Sequence, residues 1–203
     1  MSRYTGPRVK VSLALGVDLP GLTTKSRERR PYPPGPHNQM RRKVTEYGLR
    51  LMEKQKLRMN YGLTEKQLSA LMREARASAG NTGRRLMRFV ECRLDNLVFR
   101  AGFARTIPGA RQLVNHGHVR IDGRKVDIPS YRVEPGQVID LRERSRKQGT
   151  VLAALERAQP FETPWLEVDK ATLSAKLVRH PDDEAVPFPI NIQLVVEYYS
   201  KRM

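Results

Sequence analysis

The sequence predicts an α+β protein: a helical region, then a small module of two helices packed on an antiparallel sheet, preceded by an extended basic N-terminal arm. Three patterns predict it. Apolar residues recur at helical spacing from about Thr45 to Gly102. The two-residue turn Asp122-Gly123 lies between short runs of alternating apolar residues. Glycine and proline crowd the first 42 residues, ahead of any periodic stretch.

The arm comes first. Gly6, Pro7, Gly16, Pro20, Gly21, Pro31, Pro33, Pro34, Gly35 and Pro36 interrupt it repeatedly. Such a segment is expected to bury too little apolar surface to offset its ordering entropy. It carries Arg3, Arg8, Lys10, Lys25, Arg27, Arg29 and Arg30, with Arg41, Arg42 and Lys43 at its end. Cations in such excess over acids read as an arm that orders on a polyanion.

From Thr45 the pattern turns helical. Arg50, Lys54 and Arg58 recur every four residues, a spacing that predicts a basic stripe down one helix face. Thr64-Glu65-Lys66-Gln67 is a capping box. Behind it Leu68, Leu71, Met72, Ala75 and Ala79 form an apolar face, and Gly80-Asn81 is expected to end the helix. Arg84 and Arg85 open the next stretch, where Leu86, Phe89, Val90, Leu94, Leu97, Val98 and Ala101 run to Gly102. Periodicity leaves open whether this is one helix or two.

Thr106 caps the next helix, with Pro108 in its first turn, Ala110, Leu113 and Val114 facing inward, and Gly117 at the left-handed end position. Val119 and Ile121 lead into the Asp122-Gly123 turn, and Val126 and Ile128 lead back. Pro135-Gly136 turns the chain into Val138–Leu141. Further on, Trp165–Val168 and Leu173–Val178 read as a strand pair. Leu194–Tyr199 has strand propensity yet follows Asn191, a plausible helix cap, and sequence alone leaves it undecided.

Composition narrows the function. Lys and Arg number 38 against 21 Asp and Glu, a net charge of +17, which calls for a polyanionic partner. Residues 1–50 carry eleven cations against three acids, whereas residues 145–203 balance at eight each, so the polyanion is expected on the first 144 residues. No run of eighteen apolar residues occurs and no secretory core follows Met1, which argues against a membrane role. The single Cys92 excludes an internal disulfide and reads as an inert, partly buried thiol. No glycine-rich nucleotide loop or nucleophile-base spacing appears, so neither an enzyme nor a small-molecule substrate is expected.

Three stretches then carry a resemblance: Arg93–Phe103, Ala110–Val119 and Val126–Tyr131 closely resemble the RNA-binding module named after ribosomal protein S-four. Outside the module, Ser2–Arg8, Leu19–Thr23, Thr45–Leu49, Glu53–Arg58 and Leu194–Lys201 resemble the same small-subunit ribosomal family, most closely its cyanobacterial and plastid versions. The resemblance implies early binding to the 5′ domain of 16S ribosomal RNA, nucleation of subunit assembly and an influence on decoding accuracy. It also implies neighbours in small-subunit proteins five and three, messenger RNA close to its point of arrival, and residence in ribosomes of the cytoplasm or of a plastid stroma. A helical domain interrupted by the module is the family fold, which makes a helix of the segment after Asn191. Four segments follow: residues 1–42 as the arm, 43–92 as the first part of the helical domain, 93–170 as the module with its following strands, and 171–203 as the returning segment. Some relatives hold zinc on an N-terminal cysteine cluster; Val11, Ser12 and their neighbours include no cysteine, so no metal or other cofactor is expected.

Within the module the expected RNA-facing residues are Arg93, Asn96 and Arg100 on one helix, and Arg111, Gln112 and Asn115 on the next. Arg105 and Thr106 stand at the second helix's N-terminus, where free N–H groups favour a phosphate. His116 and His118 flank its end, and Arg120, Arg124 and Lys125 flank the hairpin turn. For the two histidines a metal role is disfavoured, since no cysteine or carboxylate stands at ligand spacing. Tyr4 and Tyr32 are candidates to stack on bases, while Tyr47 and Tyr61 read as packing residues. The same module also occurs as an appendage on RNA-modifying enzymes, and a stand-alone RNA chaperone or a repressor of its own messenger is a further rival.

Overall fold

A computed structural model describes residues 4–29, 31–35, 43–156, 163–181 and 186–200. The chain forms two compact units, Met1–Leu86 with Val186–Met203, and Met87–Ala185.

The first unit is helical. It holds α1 (Arg8–Leu15), α2 (Glu46–Asn60), α3 (Glu65–Ala77), the start of α4 (Thr82–Glu91) and α9 (Ile192–Ser200). Thr45 caps α2 by accepting from the Gly48 N–H at 3.1 Å. The capping box of α3 is complete, with the Gln67 N–H donating to Thr64 Oγ1 and the Thr64 N–H to Gln67 Oε1. α3 stops at Ala77 rather than running to Gly80, and Ala79 is exposed beyond it. Asn81, expected to end α3, instead starts α4: its side chain accepts from the Arg84 N–H at 3.1 Å. α9 is a helix in spite of its β-branched and aromatic content, because Val195, Tyr198 and Tyr199 fall on one face and are buried. Gly83 makes room for it; a Cβ there would stand 2.8 Å from Ile192 Cγ2.

The N-terminal segment buries more than its composition suggests. Leu19 and Leu22 are core residues, and the buried Asn60 side chain of α2 accepts the Gly21 N–H at 2.9 Å. Asp18 gathers the Arg27 N–H and the Ser26 hydroxyl, closing a small loop. Two leucines and one borrowed amide thus supply what the segment lacks by itself.

The second unit joins helices to one antiparallel sheet. It holds α5 (Leu94–Arg100), α6 (Ile107–Asn115), β1 (Val119–Ile121), β2 (Arg124–Lys125), β3 (Val138–Leu141), α7 (Glu143–Arg146), α8 (Gly149–Leu155), β4 (Leu166–Asp169) and β5 (Ser174–Leu177). Strand order is β2-β1-β3-β5-β4, every pair antiparallel. The β4–β5 pairing carries this unit past residue 170, where the sequence placed a boundary.

The open question between Leu86 and Gly102 resolves into two helices. The chain breaks helix at Cys92-Arg93, where Arg93 bridges Arg132 and the Val133 and Leu94 N–H groups bond to Cys92 and Tyr131 carbonyls. The hairpin turn forms as expected, with Asp122 and Gly123 both at positive φ (49° and 78°). Its return strand is shorter than the pattern predicts: it ends at Lys125, and Ile128 is exposed ahead of Pro129, which has no N–H to give a ladder. α7 and α8 escaped the sequence reading; Val151 and Ala154 are the only buried apolar positions of α8, too few to register as a period. Leu94, Leu97, Val98, Phe103, Ala110, Val119, Ile139, Leu141 and Trp165 fill the core.

Candidate nucleic-acid interface

Where a cation points is set by whether a carboxylate waits for it. Arg93, Asn96 and Arg100, expected on an outer face, are instead buried to 5%, 1% and 2% exposure. Arg93 donates from Nε and Nη2 to the two oxygens of Asp95, at 3.1 and 3.0 Å. Arg100 forks onto Glu91 at 3.2 and 2.9 Å, and Asn96 Nδ2 donates to the Glu91 carboxylate at 2.7 Å. A charge this deep persists only when paired and hydrogen-bonded, which both clusters achieve. These three residues organise α5 and present nothing to a ligand. Asn96 stands opposite Leu94 on the helix, but α5 is buried all round, so no face of it is solvent.

Arg111 is an intermediate case. Its Nε and Nη2 reach Asp95 Oδ2 at 3.1 and 2.7 Å, tying α6 to α5, and its side chain is 19% exposed.

In the first unit the basic stripe of α2 is likewise engaged. Lys54 is buried and donates to Glu65 at 2.8 Å, with its ammonium over the Tyr198 ring. Arg50 reaches Glu197 at 2.9 Å and Glu46 at 3.1 Å. Arg58 lies 3.9 Å from Glu65. Tyr199 donates its hydroxyl to the same glutamate at 2.7 Å, and burial together with that bond raises the phenol well above its ordinary range. Burial alone would raise the Glu65 carboxyl; the bonds from Lys54 and Tyr199 outweigh it and hold the group below its ordinary value. The basic stripe expected to face RNA is therefore the seam between α2, α3 and α9.

The exposed cations of the second unit gather elsewhere. Gln112, Asn115 and His116 are exposed along α6, and Arg124 and Lys125 at the hairpin turn. Lys125 lies across Gly117, where an added Cβ would overlap its Cε, and it pairs loosely with Asp127 at 3.4 Å. Arg120 is engaged with Asp140 across β1 and β3 and remains one-third exposed. The Arg142 guanidinium reaches the Gly117 carbonyl at 3.4 Å and its N–H bonds the His118 carbonyl, so the segment after β3 joins the end of α6. That brings in Arg142, Arg144 and Lys147, exposed residues the sequence reading passed over. Their signal lies in the sequence: Arg142, Arg144, Arg146 and Lys147 fall within six residues, but they straddle the change from the cation-rich first 144 residues to the charge-balanced remainder. Cations near the α6 C-terminus are also where a helix dipole favours them.

Arg105 is exposed and donates from Nε and Nη2 to the Ala153 carbonyl, while Thr106 Oγ1 caps α6 through the Gly109 N–H. His118 contacts Ser145 Oγ through Nδ1 at 2.9 Å and Gln148 through Nε2 at 3.4 Å. Burial first, then the neighbouring His116 and Arg142, lowers its pKa below the ordinary imidazole value. Cys92 sits 3.8 Å from His180, and burial pushes its thiol up to about 11. The thiol is therefore unreactive as expected.

Of the arm's candidates, Arg8, Lys10, Arg29 and Lys43 are exposed and Arg27 is half-buried; Arg3, Arg30, Arg41 and Arg42 lie outside the described residues. Arg84 is exposed and Arg85 half-buried, its guanidinium on the Ala79 carbonyl. Tyr4 and Tyr32 are exposed; Tyr61 is core, and Tyr47 stacks at 5.9 Å on Tyr198 while half its surface stays open. Among the described residues no helix is long and apolar enough to cross a membrane.

Comparison with known proteins covers the whole chain. Residues 3–91 match the family described as ribosomal protein S4/S9 N-terminal domain, and residues 92–139 match the S4 domain. The chain is 54% identical to the small ribosomal subunit protein uS4 of Synechococcus elongatus, with all of both chains covered. It is 53% identical to that of a Picosynechococcus species over 99% of each chain, and 50% identical to that of Methylobacillus flagellatus over the full length of both. The chain belongs to the uS4 family of small ribosomal subunit proteins.

Proposed function

We propose that this chain binds the 5′ domain of 16S ribosomal RNA early in assembly, through exposed cations of its second unit together with those of its N-terminal segment. A member of this family is a structural, RNA-binding constituent of the small ribosomal subunit, not an enzyme. The observation that carries the reading is a contrast within one unit: Arg93 and Arg100 are consumed by buried carboxylates, while Arg105, Arg124, Lys125, Arg142, Arg144 and Lys147 stay at the surface. Exposed cations with amides beside them suit phosphates and the 2′-hydroxyls of a shallow minor groove. Arg8, Lys10, Arg27, Arg29 and Lys43 extend the contact, joined by Arg3, Arg30, Arg41 and Arg42 of the same basic segment.

From the family resemblance the finer reading follows: nucleation of the 5′ domain, small-subunit proteins five and three as neighbours, messenger RNA passing close by, and a contribution to accuracy. The segmental division into arm, interrupted helical domain and module belongs to the same proposal. The ribosome is that of a bacterial cytoplasm, or of a plastid stroma if organelle-encoded. Co-sedimentation tests it. The native protein runs stoichiometrically with small ribosomal particles at moderate salt; a chain found mainly free, or one that turns over an RNA modification, overturns the proposal.

A further inference from the structure

Between α6 and α8 lies a groove of about 840 Å³, within the second unit. Its size falls in the range of roughly 300–1,000 Å³ that small-molecule sites occupy. Two sets of hydrogen bonds join its walls. At one end Arg105 clasps the Ala153 carbonyl with two bonds, at 2.9 and 2.7 Å. At the other, His118 joins Ser145 and Gln148 of the α7–α8 segment. Phe103, Leu113 and Ala153 make apolar wall between them, and Gln112, His116 and Thr150 bring polar edges to the same space.

Among the described residues no carboxylate lines the groove, whereas Arg105 and two imidazoles do. A cationic occupant is therefore excluded, and an anionic tether at the Arg105 end is favoured. An acidic side chain would need donors only. The Gln112 amide and the Thr150 hydroxyl offer acceptors as well as donors, which match the mixed edge of a nucleobase. We propose that this groove receives one unstacked nucleotide of the bound ribosomal RNA, its base between the α6 and α8 walls and its phosphate toward Arg105. This rests on the RNA-binding reading above and adds a base-holding site to a surface otherwise described by contacts to phosphates and 2′-hydroxyls. Bases splayed from loops and bulges are the usual targets of sequence-specific RNA recognition.

The test uses the full chain and 16S 5′-domain RNA. A benzophenone amino acid at Thr150 is expected to cross-link to one unpaired nucleotide, mapped by a reverse-transcription stop. Gln112→Ala, at an exposed position that does not threaten folding, and Ala153→Leu, which fills the groove, each weaken binding about tenfold. Gln112→Ala leaves the salt slope unchanged, because the contact it removes is not ionic. Wild-type affinity in both variants, or cross-links that reach only another ribosomal protein in assembled subunits, overturns the groove proposal and leaves the RNA-binding reading standing. Failure of the unsubstituted chain to bind the RNA sinks both.

Discussion

Helix α2 and the stretch from Arg105 to Lys147 are both rich in basic residues, and they use them in opposite ways. On α2, Lys54 and Arg50 meet Glu65 and Glu197, contributed by α3 and α9, and the cations become a packing seam. Between Arg105 and Lys147, ten cations stand against five acids, with Arg120 on Asp140 and Lys125 on Asp127, so a surplus of positive charge reaches solvent. The difference teaches that spacing along a helix says which residues share a face, but not what that face meets. The meeting is decided by carboxylates 11 or 147 residues away in sequence.

The sharpest way to break this contrast is to remove a buried cation. Arg100→Ala takes from Glu91, about 1% exposed, the guanidinium that forks onto it, and a loss on the order of 3–5 kcal/mol is expected in urea unfolding. Arg124→Ala, by comparison, is expected to stay within about 0.5 kcal/mol. Equal losses in the two variants would erase the distinction between buried and presented charge.

Arg111→Ala sharpens it at an intermediate position. Asp95 retains Arg93, so the expected cost is about 1–3 kcal/mol, and the salt dependence of RNA binding is unchanged because that guanidinium is already spent on Asp95. A flattened slope would place Arg111 on the RNA instead. On α2, Lys54→Met is expected to lower stability by roughly 1–2 kcal/mol, again read in urea, and to spare RNA affinity at matched folding.

The smallest effect is a pH dependence. Burial keeps the pKa of His118 and of His180 below the ordinary 6.5 in the folded chain. The unfolded chain therefore binds more protons just below 6.5, so their contribution is complete above that pH and declines as pH falls toward the folded values. Urea midpoints at pH 7.5 and 5.5 should differ less in a His118→Gln, His180→Gln double variant than in the parent. An unchanged difference would remove the two imidazoles from the pH response.

Much of this architecture could be read before any coordinates. Thr45, Thr64 and Thr106 announce helix starts because a cap is a local bond, three residues long. Asp122-Gly123 announces the hairpin because few residues tolerate its backbone. What stayed hidden depends on distance. Nothing near Gly21 reveals that Asn60 will hold it, and nothing near Arg100 reveals a turn that brings Glu91 beneath it. The α6–α8 groove was invisible for the same reason, since α8 has too short an apolar pattern to be noticed. Among the expected RNA-facing residues, Arg105, Gln112, Asn115, His116, Arg124 and Lys125 are exposed, whereas Arg93, Asn96 and Arg100, at the two ends and in the middle of α5, are buried.

The most direct measurement compares the salt dependence of 16S 5′-domain binding for the parent chain, an Arg124→Ala, Lys125→Ala double variant, and Lys54→Met. The slope of log K against log salt should fall by about two for the double variant and stay unchanged for Lys54→Met. A double variant with the parent slope, or a Lys54 variant that flattens it as much, would contradict the assignment of the presented cations to ribosomal RNA.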